Sequence, residues 1–289
     1  MAIRVNNFIG QNKNLRIIEQ GGCFVIFEHI QDLSVAPSEA RTKYYMSQMN
    51  CRVRQVVIRM NGNAIRLKPG EMQFMTGAIE QTSGVQGVGD FVGKMFKSKM
   101  TGDNAIKPEY KGTGLLVTEP TYRYFLIEDL ANWGGAMVCD DGMFVACDNQ
   151  IQENVVARSN LSTGFLGGEG FFNLCLTGNG HAVVKSPCPR EELYELILEN
   201  DQVKIDGNNA ICWSNTLQFT VEKSGKTLLG SMASGEGLVN VYRGSGRILM
   251  TPLISGGITQ SGPRPAPAEV KGAGKNAGKA LAGAIMNNL

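Results

Sequence analysis

Tyr242-Arg243-Gly244-Ser245-Gly246-Arg247-Ile248-Leu249-Met250-Thr251-Pro252 repeats a phrase that the chain has already used at Tyr110-Lys111-Gly112-Thr113-Gly114-Leu115-Leu116-Val117-Thr118-Glu119-Pro120. A third version, Thr177-Gly178-Asn179-Gly180-His181-Ala182-Val183-Val184, lies between them. Sixty-six residues separate Gly112 from Gly178, and another 66 separate Gly178 from Gly244. A fixed period of this size marks internal duplication and governs the reading of the fold. It predicts three related units of about 65 residues, each a glycine-punctuated set of short strands.

Composition agrees with that picture. The 289 residues are 43% hydrophobic and 19% charged, with a formal net charge of +2. Such a small charge gives no argument for a nucleic-acid or membrane partner. Thirty-six glycines without a collagen period are most simply turn residues, and many turns imply many strands. The seven cysteines (23, 51, 139, 147, 175, 188 and 212) include no Cys-x-x-Cys, which suits small buried residues in a reducing compartment. The opening MAIRVNNFIG lacks the apolar core of a signal peptide, and no apolar run approaches the roughly 20 residues of a membrane span. The expected location is the cytoplasm.

Taken in order, residues 1–50 form an N-terminal extension, with a strand at Cys23–Phe27 and a short helix over Ser38–Ser47 after Pro37. Unit one covers 51–120. Arg52–Ile58 reads as a strand, Asn61-Gly62 as a hairpin turn, and 77–105 as an insertion. Unit two covers 121–187 and unit three 188–254, with strands expected at Tyr122–Ile127 and Glu192–Glu199. A second landmark, Gly168-Glu169-Gly170-Phe171-Phe172-Asn173-Leu174, parallels Gly235-Glu236-Gly237-Leu238-Val239-Asn240-Val241. Each unit is then read as five or six strands. Within the insertion, Phe91, Met95 and Phe96 make one helical stripe beside lysines. Residues 255–289 shift to Gly, Pro, Ala and Lys, a flexible tail ending in the weak stripe Leu281, Ile285 and Leu289.

Pro69-Gly70-x-Met72-x-x-Met75-x-Gly77, Asp206-Gly207 and the run Gly235-Glu236-Gly237-Leu238-Val239-Asn240-Val241-Tyr242-Arg243-Gly244-x-Gly246 resemble the family of the mitochondrial biogenesis protein of the "altered inheritance of mitochondria" type. The resemblance spans roughly residues 52–253. It implies a fold like the tryptophan RNA-binding attenuation protein (TRAP-like), built from duplicated double-stranded β-helix units. It also implies a homo-oligomer without established catalytic activity, and it transfers no catalytic or ligand residues.

The residues themselves favour bland roles. Gly112, Gly114, Gly178, Gly180, Gly244 and Gly246 are followed by β-type runs, not helices, so they suit turns or bulges and not phosphate cradles. Gly168, Glu169, Gly235 and Glu236 occupy equivalent turns, whereas paired catalytic carboxylates must face one gap. Asn173 and Asn240, inside apolar strands, call for hydrogen bonds to neighbouring turns. His29 and His181 belong to no metal-ligand or nucleophile spacing. Arg52, Arg54, Arg59, Arg66, Lys68, Arg243 and Arg247 read as a solvated basic face. Phe91, Met95, Phe96, Leu281 and Ile285 are the candidate partner-contact residues, and residues 90–100 the candidate membrane-surface segment.

These readings converge on an all-β protein of three repeated β-sandwich or double-stranded β-helix units about a pseudo-threefold axis. The expected role is a non-catalytic scaffold without cofactor or metal that assembles with itself, a trimer being favoured. It presents a surface or its tail to a protein partner. An RNA-binding module, by analogy with the TRAP-like fold, is the alternative, and a small-ligand-binding protein the second.

Overall fold

The structure, a computed structural model, describes residues 3–82, 107–140, 142–157, 172–206, 209–223 and 238–252. The expected residues Phe91, Met95, Phe96, Gly168, Glu169, Gly235, Glu236, Leu281 and Ile285 lie outside the described residues. The described chain is all-β with one short α-helix, arranged as two curled sheets. Every strand pairing among the described residues is antiparallel.

The first sheet starts in the N-terminal extension. β1 (Leu15–Gly21) pairs with β2 (Phe24–His29), and β2 pairs with the first half of β3 (Arg54–Leu67). Phe24, Val25, Ile26 and Phe27 are all buried, because both faces of β2 are covered. Between them and β3, Pro37 opens a 3-10 turn that leads into α1 (Ala40–Gln48), which stops where Asn50 takes a positive φ of 58°.

β3 has three partners. Its first half meets β2, its second half meets β8 (Phe144–Asp148), and its other edge carries β5 (Glu109–Thr118). β4 (Met72–Thr82) lies beyond β5, while β11 (His181–Ser186) and β6 (Tyr124–Asp129) lie beyond β8. The second sheet runs β12 (Tyr194–Asp206), β15 (Leu238–Met250), β13 (Ala210–Ser214), β7 (Ala136–Cys139), β10 (Phe172–Thr177) and β9 (Gln152–Ala157), with β14 (Gln218–Lys223) also on β15.

Period-two alternation links these strands to a series of cores. One core gathers Phe24, Ile26, Ile58, Leu116, Phe125, Val145 and Val183. The opposite faces of β6, β8 and β11 send Leu126, Phe144 and Val184 into a central core with Met137, Leu176 and Ile211. The far faces of β7, β10 and β13 send Val138, Cys175 and Trp213 into another, with Tyr242 and Ile248. Residues 121–187 therefore supply strands to both sheets.

Two expectations are corrected. Asn61-Gly62 does not close a hairpin; β3 continues through it as one 14-residue strand. Gly62, at φ 78°, instead serves a bulge where the β3–β5 register shifts between Asn61 and Ala64. The strand goes on because each half has its own partner, β2 and then β8. Among the described residues, six short strands fall in the middle region, while the first and third regions use long strands of up to 14 and 13 residues.

The basic face is also not solvated throughout. Arg54 is 1% exposed, and its guanidinium donates to the Asn50 and Arg52 carbonyls, lies 3.8 Å from the Tyr124 ring centre and pairs with Glu28. Glu28, 2% exposed, also receives Arg52 and Arg16. Burial pushes the Glu28 carboxyl up, but hydrogen bonds from Arg52 and Arg16 and the charge of Arg54 outweigh it and hold it below the usual range.

Candidate functional site

A cleft lined by polar side chains lies where β1, β6 and β11 of the first sheet meet β15, with Asp148 of β8 and Glu195 of β12 beside it. The β1–β2 turn is Gly22-Cys23. A Cβ on Gly22 would lie 2.7 Å from His181 Nδ1, so a bare backbone is required for this turn to rest on the imidazole. Asp148, at the end of β8, accepts the His181 backbone N–H at 2.8 Å and lies 3.6 Å from His181 Nδ1. Its other oxygen faces Cys23 Sγ at 3.7 Å.

Three residues remote in sequence, Cys23, Asp148 and His181, therefore meet. Their order is wrong for a nucleophile. A thiol is activated by a base beside it, with the acid behind that base. Here the carboxylate touches both partners. Burial, reinforced by the Asp148 charge, pushes the Cys23 thiol up to about 12, so it stays protonated. The arrangement clasps the β1–β2 turn to β8 and β11.

Beside His181 opens a cleft of about 300 Å³, lined by Glu19, Glu128, Asp129, Arg190 and Arg247 among others. Arg190 bridges Glu19 and Glu128, each at 2.9 Å, and donates to the Ile127 carbonyl at 3.1 Å. Glu128 also accepts the Trp133 indole N–H at 3.0 Å. The Arg247 guanidinium stands 4.5 Å from the Trp133 ring centre, pairs with Glu195 at 2.7 Å and donates to the Asn132 carbonyl. Burial raises the Glu19 carboxyl above its usual range despite Arg190. Each guanidinium is thus matched by carboxylate, and the site's chemistry is that of a polar clamp: Arg190 joins β1 to β6, and Arg247 joins β15 to β12 and the β6–β7 link.

A second hollow, about 640 Å³, is apolar. Phe8, Ile9, Met60 and Leu115 line it beside Gly77 and Gly114, where β4 forms the sheet edge. Gly112 and Gly114 lie within β5 at φ 143° and 154°, and a Cβ there would stand 2.0 and 1.8 Å from the Ala78 and Thr76 carbonyl oxygens. Gly178 and Gly180 link β10 to β11, the crossing from the second sheet to the first. Gly244 and Gly246 lie inside β15, close to Thr216. Asn173 is buried in β10 opposite Val156, and Asn240 lies in β15 opposite Val221. Neither asparagine borders the cleft. Of the sequence candidates, only His181 and Arg247 do.

Glu19, Glu128, Asp148 and Arg190 were not singled out in the sequence. The signal available was charge placed at strand ends, as in Glu128-Asp129 after the apolar run Phe125–Ile127.

Residues 46–253 match the family model described as mitochondrial biogenesis AIM24. The chain belongs to that family. Among AIM24-family relatives, an uncharacterized protein of Streptococcus pyogenes serotype M6 is 24% identical over 201 residues, covering 67% of this chain and 78% of that one. A crystal structure of a Streptococcus pyogenes protein matches with a TM-score of 0.53 at 23% identity, over 71% of this chain and 90% of that chain. That likeness shows the fold alone. Residues 3–45, which contribute β1, β2, Glu19, Cys23 and Glu28, precede the matched span.

Proposed function

We propose that this AIM24-family chain is a non-catalytic β scaffold that assembles with itself, as a trimer, and offers the assembled surface to a protein partner. The observation that carries this reading is apolar surface on strands whose outer edge has no partner strand among the described residues. β12 ends the second sheet with Ile197 70% and Tyr194 57% exposed, and β1 ends the first with Ile17 and Ile18 exposed. Unpaired edges with apolar side chains are templates for further pairing, and closed symmetric assembly hides them. The paired state of Arg190 and Arg247 and the protonated Cys23 thiol support a structural role over a chemical one. The same reading takes the three glycine-marked segments as copies of one TRAP-like module, supported by the succession of cores and by each glycine pair sitting where β5, β10–β11 or β15 meets its neighbour. Sedimentation velocity tests the assembly. The expected mass is three times the 31.2 kDa chain, reduced by Ile197→Lys. A monomer at every concentration, indifferent to that substitution, refutes self-assembly.

The apolar hollow favours a second reading, a small-ligand-binding protein, since about 300–1,000 Å³ is the usual size of such sites. An environment-sensitive apolar dye that gains fluorescence with the protein, and loses it in Gly77→Leu, supports it; no gain removes it. The nucleic-acid alternative loses support from Arg243 and Arg247, which are paired with Glu222 and Glu195.

A further inference from the structure

Cys139 in β7 and Cys212 in β13 are direct cross-strand partners, and both are fully buried in the central core. The hydrogen bonds on either side define the kind of pair they form. Asp140 N–H donates to the Ile211 carbonyl at 2.9 Å, and Asn215 N–H donates to the Ala136 carbonyl at 3.2 Å. In an antiparallel ladder, hydrogen-bonded and non-hydrogen-bonded pairs alternate. Asp140 opposite Ile211 and Ala136 opposite Asn215 are of the first kind, so Cys139 opposite Cys212 is of the second. Non-hydrogen-bonded partners have Cα atoms about 4.5 Å apart with their side chains at closest approach, inside the roughly 4.4–6.8 Å that a disulfide spans. Two facing thiols on one sheet face need only rotamer changes to bond.

We propose that Cys139 and Cys212 form a reversible disulfide that staples β7 to β13 when the chain meets a low-molecular-weight disulfide oxidant. One thiolate attacks the oxidant's sulfur and displaces a thiolate. The second cysteine then attacks the mixed disulfide and displaces the other. Two protein thiols become one disulfide, one small disulfide becomes two thiols, and the two protons go to the leaving thiolates. Burial raises the Cys212 thiol well above its usual range, and a charge on Cys139 would raise it further. Exchange is therefore slow in the closed sheet and proceeds when β7 and β13 part or before they close.

The test uses the full chain, incubated with oxidised glutathione in mild urea, refolded, alkylated and mapped by peptide mass spectrometry. The expected product is a Cys139–Cys212 cross-linked peptide, with a Tm raised by about 10 °C because the bond closes a loop of some 70 residues. Dithiothreitol reverses both. Cys212→Ala abolishes both and Cys175→Ala leaves both intact; if Cys212→Ala fails to fold, the cross-link map of the unaltered chain decides. Glutathione adducts with Cys139 and Cys212 both recovered as thiols, or bonded to other cysteines, overturn the proposal.

Discussion

Glu28→Gln removes one charge and almost no volume from the point where three arginines converge. Arg16 reaches Glu28 from solvent, but Arg54 is as buried as Glu28 itself. Breaking one side of a buried pair costs about 3–5 kcal/mol, since the remaining charge is left without its counterion. The Asn50 and Arg52 carbonyls and the Tyr124 ring still hold Arg54, so the lower end, about 3 kcal/mol, is expected. For a body of this size that lowers Tm by roughly 6–12 °C. The pH dependence is the sharper test. The Glu28 carboxyl is depressed in the folded protein from an ordinary 4.5. Its contribution is complete above pH 4.5 and disappears as pH falls through the lower folded-state value. Thermal melts of both proteins from pH 7 to pH 3 should converge on the acid side. A constant gap across that range, or no gap at pH 7, refutes the argument that charge pairing holds this junction.

Gly114→Ala places a methyl 1.8 Å from the Thr76 carbonyl at a φ of 154°, so it should lose several kcal/mol in urea denaturation or yield insoluble protein, while Gly10→Ala, which meets no atom within 4 Å, carries only the backbone strain of its φ of 84° and loses less. Trp213→Ala removes the ring that packs at 5.3 Å on Phe219 and 5.2 Å on Tyr242, and a loss of about 3–5 kcal/mol should appear as a lower urea midpoint. With Cys23 raised from 9.0 to about 12, its thiolate is about a thousandfold scarcer than for an ordinary thiol, so timed iodoacetamide labelling read by mass spectrometry should modify exposed Cys51 first. Glu128→Ala leaves the Trp133 indole without its acceptor and Arg190 half-paired, and should cost about 3 kcal/mol or more, with Glu128→Gln partly restoring the loss.

Local patterns carried much of the fold. The aromatic and β-branched run at Phe24–Phe27 and the helix after Pro37 appear as strand and helix, and the strands expected from Arg52, Tyr122 and Glu192 each begin two residues later, because each depends mainly on neighbours in sequence. Membership of the AIM24 family was legible in the glycine-rich phrases for the same reason. Partner choice was not. Asn61-Gly62 has the chemistry of a hairpin, yet it lies in mid-strand because β2 and β8 wait on one edge of β3 and β5 on the other. Arg54 looks like a surface cation in the sequence, and becomes the most buried arginine of the Glu28 cluster once β2 pairs beside it. Cys139 and Cys212 are 73 positions apart and share no motif, and only the β7–β13 register makes them face each other. Cys23, Asp148 and His181 likewise come together through pairings that span most of the chain. A strand's period of two tells which residues share a face; the tertiary structure alone decides what that face meets, because strand pairing is a contest among distant segments whose hydrogen-bonding groups are all alike.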